Sequence, residues 1–175
     1  MGAKNTIGID IGEGTTNFPV FRDGHISIES SSSIKKGYGT VLTNVVSQLR
    51  NTNYAFESRK ALADFMLEDT LMPAQVHVRR QAQRQIDKQV QIYARDVMKE
   101  FTNIFRKVGV RTDVIYVYGG GANQVRDVLY PMLIEASRFD GEQGLPVIYL
   151  DSAYSRDLNR NGLFEAAKLT HDLST

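Results

Sequence analysis

Two apolar strands that each run straight into a glycine turn set the frame for this chain. Thr6-Ile7-Gly8-Ile9-Asp10-Ile11 reads as a buried strand and leads at once into Gly12-Glu13-Gly14. Asp113-Val114-Ile115-Tyr116-Val117-Tyr118 reads as another, leading into Gly119-Gly120-Gly121 and a helix that starts near Asn123. Placed in one sheet, both turns open on the edge where α/β folds take their ligands. Segments of helical period lie between them. The expected class is therefore α/β, a mixed sheet flanked by helices.

The first strand is followed by more extended chain. Thr15 to Phe21 keeps a strand pattern, Asp23-Gly24 signals a hairpin, and His25 to Glu29 alternates apolar with polar, so three antiparallel strands open the fold. Ser30 to Ser33 reads as a brief linker, too short to separate domains, and Lys35 to Gly39 as a loop. The period then changes. Val41, Leu42, Val45, Val46 and Leu49 predict a helix over about Thr40 to Arg50, capped by Thr40, and a shorter one follows from Ser58 to Glu68. Ala82, Ile86, Val90, Tyr93, Val97, Phe101, Ile104 and Val108 form one stripe, predicting a long helix from about Ala74 to Lys107 that ends at Gly109. Pro131 is expected to kink the helix after the second turn. Val147 to Leu150 reads as a last strand, and a final helix is expected from about Asn161. The organisation is one domain over 1–175, with about 34–108 as a helical insertion resembling a subdomain.

Composition narrows the function. At 175 residues and 42% hydrophobic, the chain suits one domain with a real core. Its 21 Lys and Arg stand against 20 Asp and Glu, a formal charge of +1, which argues against direct nucleic-acid binding and against attraction to an acidic membrane. With no cysteine there is no disulfide, thiolate metal site or cysteine nucleophile, and a reducing cytoplasm fits. No stretch reaches the ~18 apolar residues of a membrane span, and the N-terminus lacks a secretory signal, so a cytoplasmic protein is expected. Met1-Gly2-Ala3 precedes a central strand so closely that the chain reads as a piece of a longer protein.

The residues from Asp10 to Thr16 suit phosphate. Small glycines let backbone amides approach oxyanions, Thr15 and Thr16 bring hydroxyls, and Asp10 can hold a divalent cation through water. A glycine-bearing hairpin with an Asp beside it accounts for the same residues equally well. At Gly119-Gly120-Gly121 a side chain would block a flat ligand such as a nucleoside from the backbone. A tight strand-to-helix connection is the other account, although it needs fewer than three glycines.

Other signals carry less. Arg79, Arg80, Arg84, Lys88 and Arg95 interleave with Asp87 and Asp96, which reads as a solvated helix face rather than a DNA-tracking stripe. His25, His77 and His171 have no second ligand at metal spacing. Tyr116, Tyr118 and Tyr149 read as strand residues, and Ser30 to Ser33 has no nucleophile-elbow pattern.

Taken together, the two glycine turns and the three-strand opening resemble the second phosphate loop and adenosine motif of the actin, Hsp70 and sugar-kinase superfamily, whose fold is ribonuclease H-like. Within it, Thr6 to Phe21, Gly39-Thr40-Val41-Leu42-Thr43, Asp113 to Leu129 and Asp151 to Gly162 are similar to segments of the ParM/StbA-type bacterial actin-like plasmid-segregation ATPases. The resemblance implies roles at the matching positions. Asp10 would be the catalytic carboxylate that organises the hydration shell of Mg2+. Gly12, Glu13, Gly14, Thr15 and Thr16 would surround the β- and γ-phosphates of ATP or GTP. Gly39 would lie near the ribose, and Gly119, Gly120, Gly121, Ala122 and Asn123 would contact the nucleoside. Purine-edge contacts would come from the segment between Asp64 and Arg80. Glu13 departs from the pattern, because a carboxylate beside phosphates repels them unless it points away or faces the cation.

The resemblance further implies an absent N-terminal half carrying the first phosphate loop. The parent would be an ATPase that self-associates into filaments and meets an adaptor protein on plasmid DNA, while this chain alone would be inactive. Two other functions stay open at this point: the nucleotide domain of an ATP-dependent small-molecule kinase of the same superfold, and a non-enzymatic interaction domain.

Overall fold

Alternation along β1 (Thr6–Ile11) sorts its side chains into two sets, with Ile7, Ile9 and Ile11 on one face and Gly8 and Asp10 on the other. The three isoleucines are fully buried. They are the floor of the core in the computed structural model, which describes residues 4–138 and 143–150.

The chain then folds back along β1. β2 (Thr16–Phe18) pairs antiparallel with its end, Ile11 opposite Thr16, and β3 (Val20–Arg22) with its start, Thr6 opposite Phe21. The sequence pattern reads Thr15 to Phe21 as one strand. Pro19 divides it, because proline has no amide for the ladder, although its carbonyl still accepts from Gly8 N–H at 2.8 Å.

Asp23 and Gly24, both at positive φ, turn β3 into the two-residue β4 (His25–Ile26). Strand pairing stops there rather than at Glu29. The serine run is also more ordered than a linker. Ser31 Oγ accepts from Val20 N–H and donates to the Ser27 carbonyl, and Ser32–Ile34 forms β5, paired antiparallel with β2.

Three helices follow. α1 (Tyr38–Leu49) begins two residues before Thr40, with Gly37 in the capping position and no side-chain cap, so Thr40 lies inside the helix. α2 (Arg59–Leu67) is capped by Ser58, whose hydroxyl accepts from Ala61 N–H. α3 (Pro73–Val108) starts with a proline in its first turn, where no amide is missed. Its apolar stripe is buried as the period requires, from Ala82 through Val108.

A 3-10 turn (Gly109–Arg111) ends α3 and delivers the chain to β6 (Val114–Tyr118). Asp113 stands just before that strand rather than in it. Its carboxylate accepts from the backbone N–H of Asn5 and Lys4, and these bonds hold it below the usual 3.8. β6 runs parallel to β1, and β7 (Val147–Tyr149) parallel to β6. α4 (Ala122–Ala136) continues past Pro131 to Ala136. Pro131 and Asp127 are both exposed, so the bond that proline cannot make is missing on the solvent side of the helix.

The sheet is mixed, and the helices close one core over it, with Val41 and Val45 of α1, Phe101 of α3 and Leu129 of α4 packed with the isoleucines of β1. This is the expected α/β class. The final helix expected from about Asn161, and the segment Asp151 to Gly162, lie outside the described residues.

The arginine-rich face of α3 is solvated at Arg80, Arg84, Lys88 and Arg95. Arg79 is the exception. Its Nη2 donates to the carbonyls of Phe65 and Glu68 at 2.6 Å each, clamping the end of α2 onto α3. Among the described residues no helix is long and apolar enough to cross a membrane.

Candidate functional site

β1 and β6 are parallel and in register, Asp10 opposite Tyr118, so the residues that follow each strand emerge side by side at one sheet edge. The first turn, Gly12 to Thr15, is closed by Gly12 N–H donating to the Thr15 carbonyl at 2.9 Å. Its other side is docked on α1. Tyr38 and Gly39 N–H donate to the carbonyls of Gly12 and Glu13, 2.9 Å each, so the turn takes the place of a side-chain cap. The approach requires small residues. A side chain at Gly37 would strike the backbone of Gly12 and Glu13, and one at Gly39 would stand 2.8 Å from Glu13 Cγ.

The second turn packs against the first. Gly121 N–H donates to the Ile11 carbonyl at 3.0 Å. Gly119 has φ +97, and a Cβ there would stand 2.5 Å from the Ile11 carbonyl oxygen and 2.6 Å from Asp10 Oδ1. A Cβ at Gly121 would meet Tyr38 Cβ at 2.5 Å. α4 begins at Ala122 with no side-chain cap, and the Gln124 side-chain amide, oriented by its network, donates to the carbonyls of Gly120 and Gly121.

Gly14 and Gly120 differ from these packed glycines. Neither has a positive φ, and among the described residues a Cβ at either would have no atom within 4 Å beyond its own chain neighbours. Nothing among the described residues requires a glycine at these two positions. The amides of Glu13, Gly14, Thr15 and Gly120 also make no backbone hydrogen bond among the described residues. Open backbone donors of this kind suit an anion.

Gly12, Glu13, Tyr38, Gly39, Leu42, Gly120 and Gly121 line a cavity of 180 Å³. Ligand pockets usually span about 300–1,000 Å³, so these residues amount to a fraction of a pocket. A larger groove of 370 Å³ lies at the opposite end of the sheet, between Arg22, Lys107 and Arg111, and contains none of the glycine turns. The chemistry-bearing residues are at the smaller one.

Charges are arranged around the turns. Glu13 pairs with Arg59, Oε1 to Nη1 2.9 Å, so its carboxylate is directed to α2. Tyr118 shares the β1/β6 register with Asp10, and burial pushes its phenol up to about 12, with the Asp10 charge adding to the shift. Burial likewise raises the Tyr38 phenol.

The remaining expected residues divide between exposed and inward-facing. Thr15 and Asn123 are exposed beside the turns, while Ala122 is buried with the core and offers the site only its backbone. Thr16 is fully buried. Its hydroxyl donates to the Lys36 carbonyl at 2.8 Å and meets the Tyr93 hydroxyl at 2.5 Å, so it faces the interior. Tyr38 and Arg59 were not singled out by the sequence, and Leu42 was read there as a helix residue in the Gly39 to Thr43 segment with no role of its own at the site. Only Arg59 carried a signal there, a cation directly after a helix cap, where helix electrostatics disfavours it.

The family described as archaeal actin homologue, MreB-like, C-terminal, matches residues 8–130. The chain belongs to this actin-homologue family. The matched stretch includes both glycine turns. Solved structures agree at the level of fold. Ta0583, an archaeal actin homolog, superposes with a TM-score of 0.61 at 16% identity, over 86% of this chain and 44% of that one. A non-polymerisable quadruple mutant of pCBH ParM gives 0.62 at 12% identity, over 87% and 43%. ParM of Bacillus thuringiensis with ATP gives 0.56 at 16% identity, over 85% and 42%. The actin-homologue chain thus spans less than half the length of these structures. No curated protein matches it.

Proposed function

We propose that this actin-homologue chain is the wall of a nucleotide cleft that binds Mg-ATP or Mg-GTP, the other wall being supplied by a preceding half of the same parent protein. The observation that carries the reading is the pair Gly14 and Gly120. Both are glycines that the packing of the described residues does not require, on two turns brought to one edge, beside amides without backbone acceptors among those residues. In this reading the backbone of Gly12, Glu13, Gly14 and Thr15 faces the phosphates, with Thr16 supporting the turn from inside. Gly39 lies by the ribose, and Gly119 to Asn123 lie along the nucleoside. Residues 34–108 act as the helical subdomain beside it.

The residues also fit a magnesium ion carried by the nucleotide. Among the described residues no three of His, Cys, Asp and Glu gather as a metal cage. Asp10 is a single carboxylate at the edge between the two turns, its Oδ1 next to Gly119. Mg2+ keeps most of its water and is held by one or two carboxylates plus phosphates. Bound there with ATP, it would offset charge as the γ-phosphoryl group leaves toward water.

The parent is then a filament-forming ATPase that acts in plasmid or DNA segregation through an adaptor protein. The Bacillus thuringiensis ParM structure is one with ATP, and the pCBH ParM structure is that of a non-polymerisable mutant, which supports nucleotide binding and assembly by analogy. The test is hydrolysis and light scattering with Mg-ATP. The chain alone is expected to turn over no measurable ATP, and the parent containing both halves to hydrolyse it and scatter as it assembles. ATP turnover by the chain alone at a filament former's rate would contradict the division of labour. A parent that binds ATP but never assembles would contradict the filament role.

A further inference from the structure

Arg59 sits against the electrostatics of its own helix. α2 is capped by Ser58 and then places Arg59 and Lys60 in its first turn, with no acidic residue there, at the end where the helix dipole disfavours cations. Lys60 turns along the helix to Asp64 at 2.5 Å. Arg59 instead leaves its helix and meets Glu13 across the glycine turn, with Nη1 in front of Gly39, 2.6 Å from where a Cβ would stand. A side chain at residue 39 would displace it.

The pair is exposed, 46% for the arginine side chain and 74% for the glutamate, so it adds little to stability. An unfavourable cation position that contributes little to the fold points to a role at the site. Glu13 supplies one. Its carboxylate belongs to the turn whose Glu13, Gly14 and Thr15 amides make no backbone hydrogen bond among the described residues, and unneutralised it would repel any anion that comes there.

We propose that Arg59 is a positioning residue of this site: by holding and neutralising Glu13 it makes the glycine turn receptive to a polyphosphate, and it ties α2 to that turn. This rests on the nucleotide-wall reading above. Arg59 acts through Glu13 and not by touching the ligand, which gives the proposal a distinctive signature.

The experiment compares the unaltered chain with Arg59→Ala, Glu13→Gln and the double variant, each titrated with Mg-ATP and with magnesium tripolyphosphate at low and high salt. Arg59→Ala is expected to weaken binding of both ligands about fivefold or more, from the repulsion left by a bare carboxylate. Glu13→Gln tightens binding, and in the double variant it restores affinity to within about twofold of the unaltered chain, because removing both charges leaves nothing to neutralise. The Arg59→Ala deficit shrinks at high salt, where exposed charges are screened. Thermal midpoints of all four stay together, so a loss of fold is separated from a loss of affinity. Unchanged binding by Arg59→Ala, or a deficit that Glu13→Gln leaves in place, overturns the proposal while the nucleotide reading stands. Failure of the unaltered chain to bind either ligand overturns both.

Discussion

The hydroxyl of Thr16 lies 2.5 Å from that of Tyr93, joining the exit of the first glycine turn to the middle of α3. Thr16 donates its one proton to the Lys36 carbonyl, so the Tyr93 hydroxyl must be the donor of the second bond. Both residues are buried. Thr16→Val keeps the shape but leaves the buried Tyr93 hydroxyl without its acceptor, and Tyr93→Phe removes the donor to the Thr16 oxygen, which keeps its own bond to the Lys36 carbonyl. Each is expected to cost about 1–3 kcal/mol in denaturant unfolding. The double variant should cost less than the sum, since one bond is shared. Strict additivity would count against this bond.

The glycines separate into two groups with opposite expected effects. Gly119 is left-handed and would clash with the Ile11 carbonyl, so Gly119→Ala should destabilise by about 2 kcal/mol or more, from backbone strain plus the contact. Gly14→Ala and Gly120→Ala meet nothing among the described residues and need no unusual φ. They should leave stability unchanged or raise it by about 0.4–1 kcal/mol, as the unfolded chain becomes less free. If a ligand lies over these two turns, the same substitutions weaken its binding. Thermal melts and nucleotide titrations on the three variants check both halves, and a Gly14→Ala or Gly120→Ala protein that binds nucleotide normally would speak against the ligand reading.

Alkaline stability follows from the buried phenols. Burial is the main cause that raises Tyr93 and Tyr118 from 10.0 to about 12. A group whose folded pKa is raised favours folding while protonated. Its contribution is therefore whole below pH 10 and is lost as pH climbs from about 10 to about 12. Tyr93→Phe and Tyr118→Phe should flatten that decline and leave the neutral-pH slope unchanged. Absorbance titration should show a late-ionising group of tyrosines that merges with the rest on unfolding. A single transition near 10 in the native protein would contradict the burial.

Much of this was legible from local pattern. The stripe from Ala82 to Val108 marked α3 almost to its ends, and the strand-then-glycine pairs marked both turns, because period and glycine are properties of neighbouring residues. The losses came where a distant partner decides. Ser32 to Ile34 is a strand because β2 lies beside it and Ser32 donates to Glu100, which nothing in a serine run announces. Thr16 looked like a phosphate hydroxyl until Tyr93 came to it from α3. Glu13 looked like a misplaced charge until Arg59 reached it from α2. Pro19 was readable in principle, as a missing amide in a central strand.

Amide chemical shifts during a Mg-ATP and Mg-GTP titration, with Asp10→Ala as the control, test most directly whether the two glycine turns form one nucleotide wall. Shifts are expected to gather at residues 10 to 16, 37 to 39 and 119 to 123, and to be weaker in the control as the cation loses its carboxylate. Shifts gathered instead around Arg22, Lys107 and Arg111, or none at either turn near the solubility limit of the nucleotide, would contradict it.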